Sequence, residues 1–409
     1  MSDNWRLAWR NIWRNRRRTW LTVGAMVFSN VLLIFLIALQ LGSYDLMIEN
    51  SLRTLTGHLQ VQQRDYRDTP RMRNSIEDVA GRAAQLRAEL GLAAIAARAE
   101  GFALASSEAR SFGVQVIGVQ PDHEPLVSSL PGLIREGRWF SGPEAGEAVL
   151  GSVLARNLKI GLGDEVTFVG TGRDGSFAAG VVAVVGIVHS GFAAADRGLA
   201  QVPLGYFDTV FAMRGHGHRI VVEAPALGRA PFHVERSRDL LRGEDTLAVL
   251  DWDALQPGLR QTIRADMTSA WIIYGVLIVL VAFSVLNTQL MSVLERTREF
   301  GVMLALGIGA GRLGRIVIQE TLLMALTGLA IGVVLGFLTV LYFSIAGLTF
   351  PGMAEAAAKF NLPAHIYPEV SLLSLFWGPL TVSLGGLLAA VYPALRLRKL
   401  RPVAAMREI

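Results

Sequence analysis

The sequence predicts an α-helical membrane protein with four transmembrane helices and a large extracytoplasmic α+β domain between the first and second helix. Three observations carry this reading. The 409 residues are 52% hydrophobic and only 18% charged, which is too apolar for two or three soluble domains. Four long apolar runs are separated by one very unequal loop. Basic residues concentrate in three short segments, the pattern that marks the cytoplasmic side of a membrane protein.

Trp20 to Gln40 holds 21 residues without a formal charge, which at about 1.5 Å per residue covers a hydrocarbon core of roughly 30 Å. A cleaved signal peptide has a shorter apolar region, about 7–15 residues, behind a short basic start. Here 19 residues precede the run, so residues 20–43 are assigned to a first transmembrane helix. Further runs lie near 269–290, 321–348 and 372–395, and residues 269–395 form a domain of three spans. Residues 1–19 hold six Arg and one acid, 293–317 four Arg and two Glu, and 396–409 five basic residues and one Glu. These segments are net +11 in a chain of net charge +5. Both termini, including the basic tail 396–409, and the connection between the second and third spans are thus expected in the cytoplasm. Residues 44–268 and the shorter loop 349–371 are expected outside.

The block 44–268 is large enough to bury its own core. It alternates strand-like runs, Gly113–Val119, Glu165–Val169, Val181–Val188 and Arg219–Glu223, with helical ones. Ile76, Val79, Ala83, Leu86 and Leu90 share one helical face behind Ser75 as a cap. A second helix is expected from about Pro231 to Leu241.

Several functions are disfavoured. A pI near 9.8 suggests nucleic acid, but the basic residues form no stripe interleaved with aromatics, so no nucleic-acid partner is expected. With no cysteine there is no disulfide, thiolate metal site or thiol nucleophile. GxSxG, HExxH, EF-hand and Walker A patterns are missing. Gly309-Ala310-Gly311-Arg312-Leu313-Gly314 matches GxGxxG, yet it precedes a membrane span rather than closing a βαβ unit, and reads as a flexible elbow. His216-Gly217-His218 supplies too few ligands for a metal and reads as a surface hairpin. No catalytic, cofactor-binding or metal residue is expected in this chain, and any energy source has to come from a partner.

Four features invite functional readings. Trp5, Trp9, Ile12 and Trp13 form one helical face among six arginines, which suits an in-plane helix at the interface of the lipid bilayer. Gly328, Gly332 and Gly336 leave one face of the third span without side chains, open to close helix packing within this chain or with another subunit. Glu320, at the inner end of that span, is either a snorkelling end or part of a coupling contact. The connector from Glu295 to Gly307 is charged in its first half and apolar in its second. It suits either a helix laid across a cytosolic partner or a solvated linker.

The order of these features resembles the MacB/FtsX-type ABC transporter permease family. Arg298-Glu299-Phe300-Gly301 followed by Ala305-Leu306-Gly307 resembles that family's "REIG…RALG" signature, with Leu304 where a basic residue is common. Tyr392-Pro393-Ala394 with Arg401-Pro402-Val403 resembles its "YPA…P" ending. Glu136-Gly137-Arg138, Val149-Leu150-Gly151 and Gly163-Asp164-Glu165-Val166 are similar to its outer-domain pattern, and Gly57-His58-Leu59-Gln60-Val61 resembles the lipoprotein-releasing LolC/LolE branch. The resemblance implies a MacB-like domain over 44–268, an FtsX-like domain over 269–395, and a bacterial inner-membrane location. It implies a non-catalytic permease subunit, with ATP and Mg bound by a separate ABC ATPase chain and a second permease copy or paralogue alongside. The implied work is mechanical extraction or export of a lipoprotein or other amphipathic substrate, or activation of a periplasmic accessory protein without transport. Glu295, Arg298, Glu299, Gly301, Met303, Leu306 and Gly307 are the implied ATPase-coupling residues, with Glu320 a possible addition.

Overall fold

In the computed structural model, which describes residues 3–353, 355, 357 and 363–397, the apolar runs become helices longer than a bilayer requires. A short helix α1 (Asp3–Arg14) leads into α2 (Arg16–Ser51), which ends in a π-helical turn at Leu52–Thr56. Further along lie α3 (Val79–Leu90), α4 (Ala230–Leu240), α5 (Pro257–Glu295), α6 (Thr297–Ala305), α7 (Ala310–Ala346) and α8 (Leu372–Arg396). Shorter helices are given by range. Among the described residues, α2 with its π turn, α5, α7 and α8 are long and apolar enough to cross a membrane. The 39 residues of α5 span about 58 Å at 1.5 Å each, nearly twice a hydrocarbon core of about 30 Å. The sequence places the second span near Ser269; the helix itself starts at Pro257, because polar helical turns precede the apolar ones.

The chain divides into a helical unit, Met1–Tyr44, Thr262–Thr349 and His365–Ile409, and a β-rich unit, Asp45–Gln261 and Phe350–Ala364. The helical unit is packed around Met26, Leu33 and Ile37 of α2, Val281 and Val285 of α5, Ala325 of α7 and Val382 of α8. The glycine face of α7 meets α2. A Cβ placed on Gly328 would lie 2.9 Å from Cβ of Met26, one on Gly332 2.6 Å from Cβ of Asn30, and one on Gly336 2.5 Å from Cδ1 of Ile34. Met26, Asn30 and Ile34 recur every four residues, so a ridge of α2 fills the groove that the glycines leave in α7. Nδ2 of Asn30 donates to the carbonyl of Gly328 at 3.2 Å. Gly332→Leu is expected to cost about 1–3 kcal/mol by overpacking, seen as lower yield and a lower Tm in detergent. An unchanged Tm would show that α2 and α7 are not in close contact.

The β-rich unit is built on ten strands: β1 (Leu59–Gln63), β2 (Ile95–Ser106), β3 (Ser111–Val119), β4 (Ile134–Gly137), β5 (Glu147–Gly151), β6 (Glu165–Thr171), β7 (Phe177–Val188), β8 (Leu199–Pro203), β9 (Arg219–Val222) and β10 (Leu247–Asp251). Pairings β2–β3, β3–β8, β8–β5, β5–β7, β7–β6 and β6–β2 close a six-stranded ring. Alternate residues point inward, as a small barrel requires. Ala103, Val114, Val116, Leu150, Phe168, Val182 and Val202 fill it. The first half of β2 instead pairs with β9, and β9, β1 and β10 continue as an antiparallel sheet. On that sheet Leu59, Val61, Ile220 and Val222 pack against Val79, Ala83 and Leu86 of α3 and Val234 of α4. The twelve residues of β2 thus serve both lobes.

Two sequence expectations are corrected here. Helix α3 starts at Val79, and its N-cap is Asp78, whose carboxylate accepts from the Gly81 amide at 3.2 Å. Ser75 is not the cap, because Ile76 is drawn into a backbone bridge with Gly217. His216-Gly217-His218 is not a surface hairpin either. His218 is buried, its Nδ1 accepts from the Glu100 amide at 2.8 Å, and its ring stacks on Tyr66 at 5.0 Å. Burial pushes its pKa down to about 4, so the imidazole is a neutral acceptor in the core at physiological pH.

Candidate functional site

The connector between α5 and α7 is a helix–turn–helix rather than a loop. Arg296 breaks the helical run after α5, α6 follows, and Gly307 (φ 87°) turns the chain toward the N-cap Gly309 of α7. The GxGxxG match therefore opens a helix with no strand before it, as the sequence context indicates. Every carboxylate of the connector is engaged within the helical unit. Glu299 accepts twice from Nη2 of Arg14, at 2.7 and 2.9 Å, and once from Nε of Arg296 at 3.3 Å. The Arg14 hydrogen bond holds the Glu299 carboxyl below its usual pKa, against a smaller opposing effect of burial. Glu295 accepts from Nη1 of Arg18 at 2.9 Å.

Glu320 is 5% exposed, which corrects the snorkelling reading. Nη1 of Arg296 lies 3.1 and 3.2 Å from its two oxygens, and Nδ2 of Asn11 donates to it at 2.7 Å. The Arg296 guanidinium also sits 5.0 Å over the Phe300 ring. Glu320 is thus the centre of a buried network that ties α1, the connector and α7 together. Asn11 and Arg296, which complete this network, and Arg14, which joins it through Glu299, are not singled out by the sequence as contact residues. The only signal was their charge, which in a single sequence reads as topology.

The apolar half of the connector is split by helix geometry. Phe300 and Gly301 are buried, while Met303 and Leu304 are partly buried against Val293, Leu313, Val317, Ala394 and Leu397. Met303, one of the implied coupling residues, therefore has part of its surface inside this packing and part of it free. Val302 is 46% exposed and Leu306 78%, and Arg298 is exposed as well. These three recur every four residues, so α6 and its C-cap Leu306 present one outward stripe, Arg298–Val302–Leu306. Among the tryptophans, Trp9 and Trp13 are exposed and stack edge to face at 5.9 Å, whereas Trp5 is half-buried. Ile12 is turned inward with Ala8.

In the β-rich unit a second arrangement joins helix ends to sheet. Oγ of Ser51, the last residue of α2, donates to Oε1 of Gln256 at 2.6 Å, and Nε2 of Gln256 donates to Oγ1 of Thr56 at 2.7 Å. The start of α5 and the end of α2 are thereby bridged by one side chain. The π turn is held from the sheet side by Arg98 of β2, whose Nη1 donates to the Leu55 carbonyl. Arg98 is also bidentate to the buried Glu124, at 3.0 and 2.7 Å. Below this joint is a cavity of about 670 Å³, with Met47, Leu55, Leu133, Phe192 and Leu259 among its apolar lining and Arg53, Ser129 and Ser190 among its polar lining. A second cavity of about 420 Å³, near the start of α3, carries Asp122, His123, Glu144, Asp208 and His216. Among the described residues no three acidic or histidine side chains converge as a metal site.

Residues 271–402 match the family described as FtsX-like permease C-terminal, and residues 19–227 match the MacB-like periplasmic core domain. The chain is 25% identical over 311 residues to the lipoprotein-releasing system transmembrane protein LolE of Haemophilus influenzae, covering 72% of each. It is 26% identical over 317 residues to the corresponding LolC of Xylella fastidiosa, covering 71% of this chain and 72% of that one. The solved periplasmic region of MacB from Actinobacillus actinomycetemcomitans aligns with 50% of this chain and 93% of that one, at 13% identity and a TM-score of 0.36. The matched segments assign the β-rich unit as an extracytoplasmic α+β domain inserted between the first and second of four membrane helices. The chain belongs to the MacB/FtsX-type permease family of ABC transporters, near its LolC and LolE members.

Proposed function

We propose that this chain is the permease subunit of a bacterial inner-membrane machine in which a partner ABC ATPase, binding ATP and Mg, drives extraction or export of a lipoprotein or other amphipathic envelope substrate. Both termini and the connector lie on the cytoplasmic side, where α6 meets the ATPase, and a second permease copy or paralogue completes the unit. Transmission is mechanical: α2 and α5 are each much longer than the bilayer, and both end at the Ser51–Gln256–Thr56 bridge. The observation that carries the substrate assignment is the cavity of about 670 Å³ at those helix ends. Its mixed apolar and polar lining suits a ligand with acyl chains and a polar head.

A photo-crosslinking amino acid at Phe192 or Leu133 tests this. The expected result is capture of a lipidated protein in cells, lost when the lipid-bearing residue of that protein is substituted. A second reading is signal transmission, supported by the carboxylate-rich second cavity in the same domain. Capture of an unlipidated periplasmic protein at these positions, with no lipidated one, would favour it and overturn the transport reading.

A further inference from the structure

We propose that the elbow between α1 and α2 is a binding site for an anionic phospholipid. The elbow is one residue long: Asn15 separates the helices, and Thr19 fixes the bend by donating from Oγ1 to the Ile12 carbonyl at 2.6 Å and from its amide to the Asn15 carbonyl at 3.1 Å. On one side Trp9, Trp13 and Trp20 form an edge-to-face ladder, with ring centroids 5.9 and 6.4 Å apart. All three are exposed, and with Val23 and Met324 they line a shallow apolar groove that runs from α1 onto α2 and α7. The groove itself holds only about 30 Å³, so an acyl chain would lie along the exposed indole faces rather than enter it, and indoles favour the headgroup boundary where that chain would begin.

The headgroup class follows from charge. Residues 10–18 hold five arginines. Arg14 and Arg18 are taken by Glu299 and Glu295. Arg10, Arg16 and Arg17 are exposed, and among the described residues they form no ion pair. A cationic surplus beside an apolar groove selects a negatively charged lipid over a zwitterionic one. The same elbow grips the connector through Arg14 and Arg18, so lipid occupancy fixes the position from which Glu295 and Glu299 are held. This last consequence rests on the coupling role proposed for α6; the lipid site does not.

The test is native mass spectrometry of the purified chain from bilayers of equal phosphatidylglycerol and phosphatidylcholine, counting retained lipids. Phosphatidylglycerol should be retained preferentially, and Arg16→Gln with Arg17→Gln should reduce that preference by about fivefold per arginine. Arg315→Gln, on α7, should leave it unchanged. Equal retention of both lipids by the unmodified chain, or an equal loss in the Arg315 variant, would overturn the site. With the ATPase present, hydrolysis should respond to phosphatidylglycerol in the unmodified chain and not in the double variant. A preserved lipid preference with lipid-independent hydrolysis would overturn the link to the connector and leave the site standing.

Discussion

Arg98→Met is expected to destabilise the extracytoplasmic domain by about 3–5 kcal/mol, the cost of leaving one member of a buried ion pair alone. Arg98 is 1% exposed and Glu124 fully buried, so the remaining carboxylate has no access to water. The substitution also removes the donor to the partly buried Leu55 carbonyl, a smaller loss of about 0.5–1.5 kcal/mol. The double variant Arg98→Met, Glu124→Leu separates the two effects. It should recover much of the loss, because a buried pair replaced by apolar groups is often nearly neutral. What it does not recover measures the tie between the sheet and the π turn. Thermal unfolding of the detergent-solubilised chain reads both variants. A loss of under 1 kcal/mol in the single variant would mean that the pair is hydrated.

Glu320→Leu is the second large effect. It strands Arg296, whose side chain is 7% exposed, and removes the acceptor of Asn11. Glu299 remains within reach of Nε of Arg296 at 3.3 Å, so the expected loss is about 2–3 kcal/mol, below the full cost of an orphaned charge. Because Glu320 joins α1 to the connector, the variant should also let α1 separate. Cysteines at Ile12 and Met324, which pack in one cluster between α1 and α7, should cross-link less efficiently in Glu320→Leu than in the unmodified chain. Equal efficiency and an unchanged Tm would show that the network does not hold α1.

Much of this organisation is written in features that act over short stretches of chain. Span length and the charge of short segments need only hydropathy and counting, and the glycine spacing of α7 marks its packing face without the partner helix being known. Patterns that depend on tertiary partners were hidden. The apolar half of the connector reads as one patch in the sequence, yet helical periodicity turns Met303 partly inward and leaves Val302 and Leu306 outside. Glu320 reads as an interfacial carboxylate because its partners, Asn11 and Arg296, are 309 and 24 residues away. His218 sits in a glycine-flanked polar stretch, and only the closure of β9 onto β2 buries it. The six-strand ring was illegible for the same reason, since β6 closes it by pairing with a strand some sixty residues earlier.

The central claim is that α6 transmits the work of a partner ATPase through the stripe Arg298–Val302–Leu306. Leu306→Asp tests it most directly, since Leu306 is 78% exposed and its substitution leaves the buried face of α6 untouched. An apolar anchor at the centre of such a contact contributes about 2 kcal/mol or more, so association with the ATPase should weaken by roughly thirtyfold. The measurement is ATP hydrolysis by the complex in proteoliposomes, with co-purification of the ATPase and the Tm of the permease followed alongside. The account predicts that Leu306→Asp loses both co-purification and substrate-dependent hydrolysis at unchanged Tm, and that Glu299→Arg, which breaks the Arg14 contact, weakens hydrolysis less. Full association and substrate-dependent hydrolysis in the Leu306→Asp variant would contradict it.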